Sequence, residues 1–199
     1  LYAQDDGMRE DSTAENLAKL KPFFDRKYGN VTAGNSSQIT DGAAWLVIAS
    51  ERAVEKHGLT PLGRIVDSEW AGLDPAQMGL GPVQAATPIL TRNGLGLDDL
   101  DAWEINEAFA AQVIACERAW QSAEYCKQEL GLPGALGSLD HAKLNVDGGA
   151  VALGHPVGAS GARIVLHLLN VLKRTGGRRG MAAICIGGGL GGTMLVETV

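Results

Sequence analysis

A glycine run, Gly187-Gly188-Gly189-Leu190-Gly191-Gly192, constrains this chain more than any other feature, because the apolar residues 181–186 lead straight into it and end on Cys185-Ile186. The apolar stretch predicts a buried strand. Glycine permits positive φ and lets peptide N–H groups approach a ligand that side chains would hold off, so the strand delivers a thiol beside a possible anion-binding nest. A thiol so placed is a candidate catalytic group; the alternative is that Cys185 is one more small buried hydrophobe, as free cysteines usually are. The run also fits G-x-G-x-x-G, but a dinucleotide fingerprint requires a helix next and an acidic residue about 20 positions on. Thr193-Met194-Leu195-Val196-Glu197 reads as a strand instead, and the nucleotide reading fails on that context.

The 199 residues suffice for one sizeable core, and 45% hydrophobic with 20% charged residues is ordinary globular composition. A formal charge of −6 argues against a polyanion-binding surface, which removes nucleic acid from the expected partners. Three scattered cysteines, 116, 126 and 185, build neither a disulfide framework nor a zinc site; no metal is expected, and a reducing compartment is. No apolar stretch approaches the roughly 18 residues of a membrane span and no signal peptide opens the chain, so a cytoplasmic location is the expectation. The sequence starts at Leu1 without a methionine, which suggests an upstream part.

Along the chain, residues 1–30 are charge-rich and read as a surface excursion, with one helix expected over 13–20, capped by Ser12 with Glu15 three positions on. Residues 43–49 predict a buried strand and 51–57 a helix closed by Gly58. Strands over 62–71 and 102–105 and helices over 82–92, 107–128 and 158–174 follow, then the two strands that flank the glycines. Such alternation implies a layered α/β fold with helices covering a sheet. Within the long helix, Phe109, Val113, Cys116 and Trp120 form one apolar face and read as core. Residues 131–143, with Pro133-Gly134, read as a loop.

Two further constellations could join Cys185. Asn106-Glu107-Ala108-Phe109 sits where a strand gives way to a helix, and ligands gather beyond the carboxyl ends of strands in α/β sheets. Asn106 could hold a water or a carbonyl there, or act as a helix N-cap, the better bet on local grounds. His155, held between Gly154 and Pro156 just before a helix of small residues, could move a proton near pH 7, since a helix N-terminus favours the neutral imidazole. His57, His141 and His167 lack this setting. Gly158-Ala159-Ser160-Gly161-Ala162 approaches the hydrolase pattern G-x-S-x-G, but the preceding strand and the later acid and histidine are missing. If His155, Cys185, Asn106 and the Gly187 N–H converge, they supply proton transfer and oxyanion stabilisation at a thioester or ketone carbonyl.

These blocks resemble the three C-terminal signatures of the thiolases: Asn106-Glu107-Ala108-Phe109, residues 149–163 with Gly154-His155-Pro156, and Cys185-Ile186-Gly187-Gly188-Gly189. The likeness extends through Thr32-Ala33-Gly34-Asn35-Ser36-Ser37, Asp41-Gly42-Ala43-Ala44 and residues 74–82, and so covers nearly all of 31–199. It implies a thiolase-like α/β fold, here a C-terminal half with a mixed sheet covered by helices. Residues 1–30 resemble the tail of the family's CoA-binding loop region, 31–58 the last strand and helix of its N-terminal half, and 59–199 its C-terminal domain. The implied activity is CoA-dependent ping-pong exchange between 3-ketoacyl-CoA and acyl-CoA plus acetyl-CoA, with CoA and acyl-CoA as substrates and no cofactor.

By the same resemblance, Cys185 is the acid/base at the acetyl α-carbon. His155 activates the acylated nucleophile and polarises the thioester oxygen, Asn106 holds the water completing that oxyanion hole, and the Gly187 N–H serves a second hole. Ser37 and Met78 line the CoA and acyl channel, and Phe109 shapes the pocket wall. The family's nucleophilic cysteine belongs to an N-terminal half that is absent from this sequence, since Cys116 and Cys126 lie in no matching motif. The resemblance thus implies a missing N-terminal half as partner, inactivity of the chain alone, and a homodimer or homotetramer. The long stretch 120–143 leans toward a degradative 3-ketoacyl-CoA thiolase. A ketoacyl synthase is disfavoured because that type resembles a two-histidine site. A non-catalytic thiolase-like CoA-binding or assembly module is the alternative function, and joint retention of Asn106, His155 and Cys185 argues against it.

Overall fold

Local signals decide the first helices. In the computed structural model, which describes residues 3, 7 and 9–199, α1 is a single turn, Ala14–Leu17. Its cap is Thr13, whose hydroxyl accepts from Asn16 N at 3.1 Å, so the expected Ser12 cap and the extension to residue 20 both give way. The acidic pair Asp5-Asp6 lies outside the described residues. α2, Glu51–His57, follows the expectation and is closed by Gly58 in the left-handed region at φ 59°; Ser50 caps its start.

Between them, the strand expected over 43–49 does not form. Trp45 and Val47 are 86% and 94% exposed, and no described residue pairs with this segment. A strand exists through its ladder to a neighbour, and apolar pattern alone does not supply one.

The sheet and its helices account for the rest: β1 (Arg64–Gly72), α3 (Gly81–Arg92), β2 (Ala102–Ile105), α4 (Ala110–Gln121), α5 (Ala123–Glu129), α6 (Ala150–Leu153), α7 (Ser160–Thr175), β3 (Arg179–Ile186) and β4 (Leu190–Glu197). The expected long helix is broken at Ser122, whose backbone is extended and whose hydroxyl accepts from Tyr125 N at 3.1 Å, ending α4 and starting α5. Phe109 is the residue before α4 rather than part of its apolar face; Cys116 and Trp120 of that face are buried as expected.

The four strands lie in the order β1-β4-β3-β2, with β2 and β3 parallel and the other pairs antiparallel. It is an α/β fold with a mixed sheet between helices. Side chains alternate across a strand. Trp103 and Ile105 of β2 and Met181 and Ala183 of β3 therefore join α3 and α4 in one core, while Ala102 and Ala182 join Ile164, Leu168 and Leu172 of α7 in the other. Both buried indoles are satisfied: Trp103 Nε1 donates to Leu97 O at 3.2 Å and Trp120 Nε1 to Thr87 Oγ1 at 3.1 Å. At the far end of β4, the buried Glu197 carboxylate receives Arg64 at 2.7 Å and Arg179 at 2.5 Å, and these guanidinium groups hold its carboxyl below the usual range.

Candidate active site

Parallel pairing of β2 with β3 brings Asn106 and Cys185 to the same end of the sheet. Asn106 N donates to Ala183 O at 2.9 Å just beyond β2, and Cys185 follows two residues later on β3. Asn106 is not an N-cap: α4 starts at Ala110, and the Asn106 side chain is buried. Its Nδ2 lies 3.5 Å from His155 Nε2, which makes the convergence of two of the expected residues a direct contact.

The loop carrying Asn106 is held by Asn145 and Glu107, residues outside the roles expected from the motifs. Asn145, at positive φ of 45°, extends the edge of β2 through its side chain, accepting from Ile105 N and donating to Ile105 O, each at 2.9 Å. Its amide also donates to Glu107 Oε1 at 3.1 Å, while Glu107 Oε2 accepts from Val151 N at 3.1 Å in the first turn of α6. The Glu107 carboxyl fills the space a Cβ would need at Gly149. One carboxylate thus clamps the Asn106 loop to the segment that leads into His155. The acidic residue beside Asn106 was the available signal; its partner 44 positions away was not.

Ser160 fixes the imidazole. Its hydroxyl donates to Pro156 O at 3.1 Å and lies 2.7 Å from His155 Nδ1. A hydroxyl has one proton to give, so toward the ring it accepts, which places the imidazole proton on Nδ1. The Nε2 lone pair then faces the Asn106 amide N–H. Burial, with the nearby Arg163 charge as a second cause, pushes the His155 pKa down, so the ring is neutral at pH 7. Desolvation and a cation account for the neutral ring that was expected from the helix N-terminus.

The segment 36–38 threads this arrangement. Ser36 bridges Phe109, Ser37 N donates to Ala108 O at 3.0 Å, and His155 N donates to Gln38 O at 2.9 Å. Phe109 is half-buried and meets Phe24 edge-on at 6.0 Å between ring centroids.

Cys185 is 6% exposed, and burial pushes its thiol up, with its own backbone amide opposing in part. Neither a cation nor a nest lowers it, and the group is a thiol rather than a thiolate at pH 7. Cys116 is pushed to about 12 by burial and donates to Gly79 O at 3.3 Å; Cys126 donates to Ala119 O at 3.4 Å. Both are inert core groups. Gly187 opens the turn after β3, exposed, with open space where a Cβ would stand. Gly189 differs: it adopts φ 84° against Leu73 O and Pro75, and its own carbonyl accepts from Leu73 N at 2.8 Å. That contact brings the 3-10 turn Pro75–Leu80, which carries the half-buried Met78, against the glycine turn. Asn106, His155, Ser37, Phe109, Cys185 and Gly187 thus gather at one end of the sheet, and Met78 joins through the turn it sits on.

Two hollows lie nearby. A cleft of about 350 Å³ between residues 40–45 and 156–159 is open and holds none of the polar groups above. A second, of about 110 Å³, is lined by Glu104, Asn106, Asp147, Arg163 and His167 among others. Among the described residues no cluster could hold a metal ion, and no helix is long and apolar enough to cross a membrane.

Comparison with known proteins adds an independent line. Residues 47–198 match the family model "Thiolase, C-terminal domain", and residues 1–52 match "Thiolase, N-terminal domain". A beta-ketoadipyl-CoA thiolase of Pseudomonas aeruginosa is 47% identical over 199 residues, 100% of this chain and 46% of that protein. The crystal structure of human mitochondrial 3-ketoacyl-CoA thiolase in complex with CoA superimposes with a TM-score of 0.80 at 42% identity, over 98% of this chain and 45% of that one. The Bacillus anthracis acetyl-CoA acetyltransferase structure gives 0.85 at 44% identity, over 98% and 45%. The chain spans less than half the length of the relatives it matches.

Proposed function

Since this chain belongs to the thiolase family, we propose that it forms the C-terminal part of an enzyme exchanging acyl groups between CoA thioesters, with the nucleophilic cysteine supplied by an N-terminal half. The observation that supports this most is the His155 imidazole, pinned by Ser160 at Nδ1 and presenting its Nε2 lone pair 3.5 Å from the Asn106 amide. A neutral ring of that tautomer takes a proton from an incoming thiol, becomes a cation with an N–H at Nε2, and so turns toward a developing oxyanion. Asn106 Nδ2 stands beside it to hold a water that donates to the same oxygen.

Cys185 enters as a proton donor. In thiolytic cleavage the nucleophile adds to the 3-keto carbon, the bond to the α-carbon breaks, and the departing acetyl-CoA enolate takes a proton from the Cys185 thiol. The thiolate left behind recovers its proton from the CoA thiol that releases the acyl group, and the nucleophile freed in that step takes back the proton held on His155, which closes the cycle. A thiol protonated at rest suits this degradative direction, and condensation is the reverse path. The exposed Gly187 N–H, with no side chain in the way, is a donor for the enolate oxygen. Ser37, Met78 and Phe109 lie around this end of the sheet and form the channel for CoA and the acyl chain.

A protein whose three thiols are free fits a reducing compartment such as the cytoplasm, and an oligomer, dimer or tetramer, is part of the reading. The test mixes the purified chain with a separately produced thiolase N-terminal half and follows CoA-dependent cleavage of acetoacetyl-CoA and a longer 3-ketoacyl-CoA, with intact mass on the same sample. Cleavage by the pair and none by the chain alone is the expected result, lost in Cys185→Ser. A correctly assembled pair that binds CoA and cleaves neither substrate would leave a binding or assembly module and sink the catalytic reading.

A further inference from the structure

The small cavity behind Asn106 contains more polar chemistry than the site in front of it uses. Glu104 and Asn106 sit two positions apart, at and just beyond the end of β2, on the α7 side of the sheet, where α7 contributes Arg163, Ile164 and His167 and the loop before α6 contributes Asp147. The Glu104 side chain is 5% exposed. Asn106 Oδ1 is buried without a partner, and so is His167 Nε2, which lies 3.7 Å from Glu104 Oε1 and 3.1 Å from Asp147 Oδ2 without hydrogen-bond alignment. Native proteins rarely leave such atoms unpaired, and a cavity of about 10–15 Å³ already holds one water if two to four polar partners surround it. This one measures about 110 Å³.

We propose that the cavity is a built water site and that Glu104 acts through it as a positioning residue for Asn106: a water anchored on the Glu104 carboxyl donates to Asn106 Oδ1 and fixes the amide with Nδ2 toward His155. This rests on the thiolase reading only for its consequence, since the amide that faces His155 is the one assigned to hold the oxyanion water. Without the water, nothing distinguishes the two amide orientations on the buried side. The flipped amide would present Oδ1 to His155 Nε2 and favour a proton there, undoing the tautomer that Ser160 sets.

The groups around Glu104 suit an uncharged anchor. Burial is the largest cause that pushes the carboxyl up, to about 8; Glu107 and Asp147 add to it by repelling a negative charge, and Arg163 opposes them in part. Asp147 is itself occupied by Arg174 at 2.8 Å, and the pKa of Arg163 is lowered by burial. Glutamine therefore reproduces both the shape and the charge of the resting Glu104, whereas leucine reproduces neither the donor nor the acceptor.

Two measurements on the chain itself decide the matter without any catalysis. A crystal structure at a resolution that places waters should show one between the Glu104 carboxyl and Asn106 Oδ1; a dry cavity overturns the proposal. Ring-labelled histidine NMR should then show His155 with its Nδ1–H tautomer and low pKa kept in Glu104→Gln and lost in Glu104→Leu, with the water gone. An unchanged His155 titration in a folded Glu104→Leu protein also overturns it, and should that variant fail to fold, the wild-type cavity still decides. In the chain paired with an N-terminal half, Glu104→Leu should lower kcat on the order of tenfold to a hundredfold at nearly constant KM, with Gln restoring it. An inactive wild type would count against the thiolase reading and leave the water and tautomer results standing.

Discussion

Residues 43–49 and residues 181–186 carry nearly the same apolar pattern, Ala-Ala-Trp-Leu-Val-Ile-Ala against Met-Ala-Ala-Ile-Cys-Ile, and end in opposite environments. The second is the central strand β3, paired on both edges, with Met181 and Ala183 fully buried. The first pairs with nothing among the described residues and leaves Val47 and Ile48 94% and 78% exposed. Neighbours make the difference: β3 has β2, β4 and a helix layer on each face, and residues 43–49 have none of these. A short apolar run records that a segment can be buried, while its burial depends on chain far away in sequence.

The comparison can be broken most directly by truncating Trp45 in the first segment and Trp120, which shares a core with Met181 and Ala183 of the second. Trp120→Ala should cost about 3–5 kcal/mol in urea unfolding, as large core truncations do, while Trp45→Ala should stay within about 0.5 kcal/mol. A comparable loss at Trp45 would mean that residues 43–49 are packed after all. Glu197→Gln leaves Arg179 facing a weakened partner and should cost about 3 kcal/mol by the same assay.

The glycine turn sharpens the contrast between backbone required by the fold and backbone left open. Gly189→Ala meets both a positive φ and the Leu73 carbonyl and should lose about 2 kcal/mol. Gly187→Ala meets neither and should leave stability nearly unchanged, while lowering turnover in the assembled enzyme. Equal destabilisation by the two would remove the argument that Gly187 is kept bare for a ligand.

A further expected effect is a pH dependence. The folded-state pKa of Glu104, about 8, stands above its ordinary value of 4.5. The folded state then holds an extra proton, and its stabilisation is complete below pH 4.5 and lost as pH rises toward 8. His155, with a lowered pKa, acts in the opposite sense and costs stability as pH falls below 6.5. Urea melts should therefore show Glu104→Gln gaining on the wild type between pH 5 and pH 8; parallel curves would count against the buried, protonated carboxyl.

What the sequence revealed divides along the same line as the two strands. Gly58 closes α2 by local chemistry, and the apolar spacing of α7 and the β3–β4 pair around the glycines were equally plain. Ser122 was also local, a hydroxyl poised three residues before Tyr125, yet the apolar face continuing toward it masked the break. At the site, the motif residues Asn106, His155 and Cys185 were legible as chemistry. Glu107 and Asn145 were not legible as its clamps, because their bonds reach Val151 and Ile105, 44 and 40 positions away. Ser160 sits in an incomplete nucleophile pattern in the sequence, whereas in the fold its hydroxyl orients the histidine five residues before it. The cap reading of Asn106 failed because the helix starts four residues later, beyond a loop held by those same distant partners.

The four tryptophans inherit this division as an optical signature. Trp103 and Trp120 are 1% and 0% exposed, and Trp45 and Trp70 are 86% and 73% exposed. Indoles in a dry core emit to the blue of indoles in water, so the spectrum of the chain should be a sum of two bands, each open to separate quenching by iodide. Whatever covers residues 43–48 must transfer one fluorophore from the red band to the blue. Assembly can therefore be followed by its colour, with no label added and no substrate turned over.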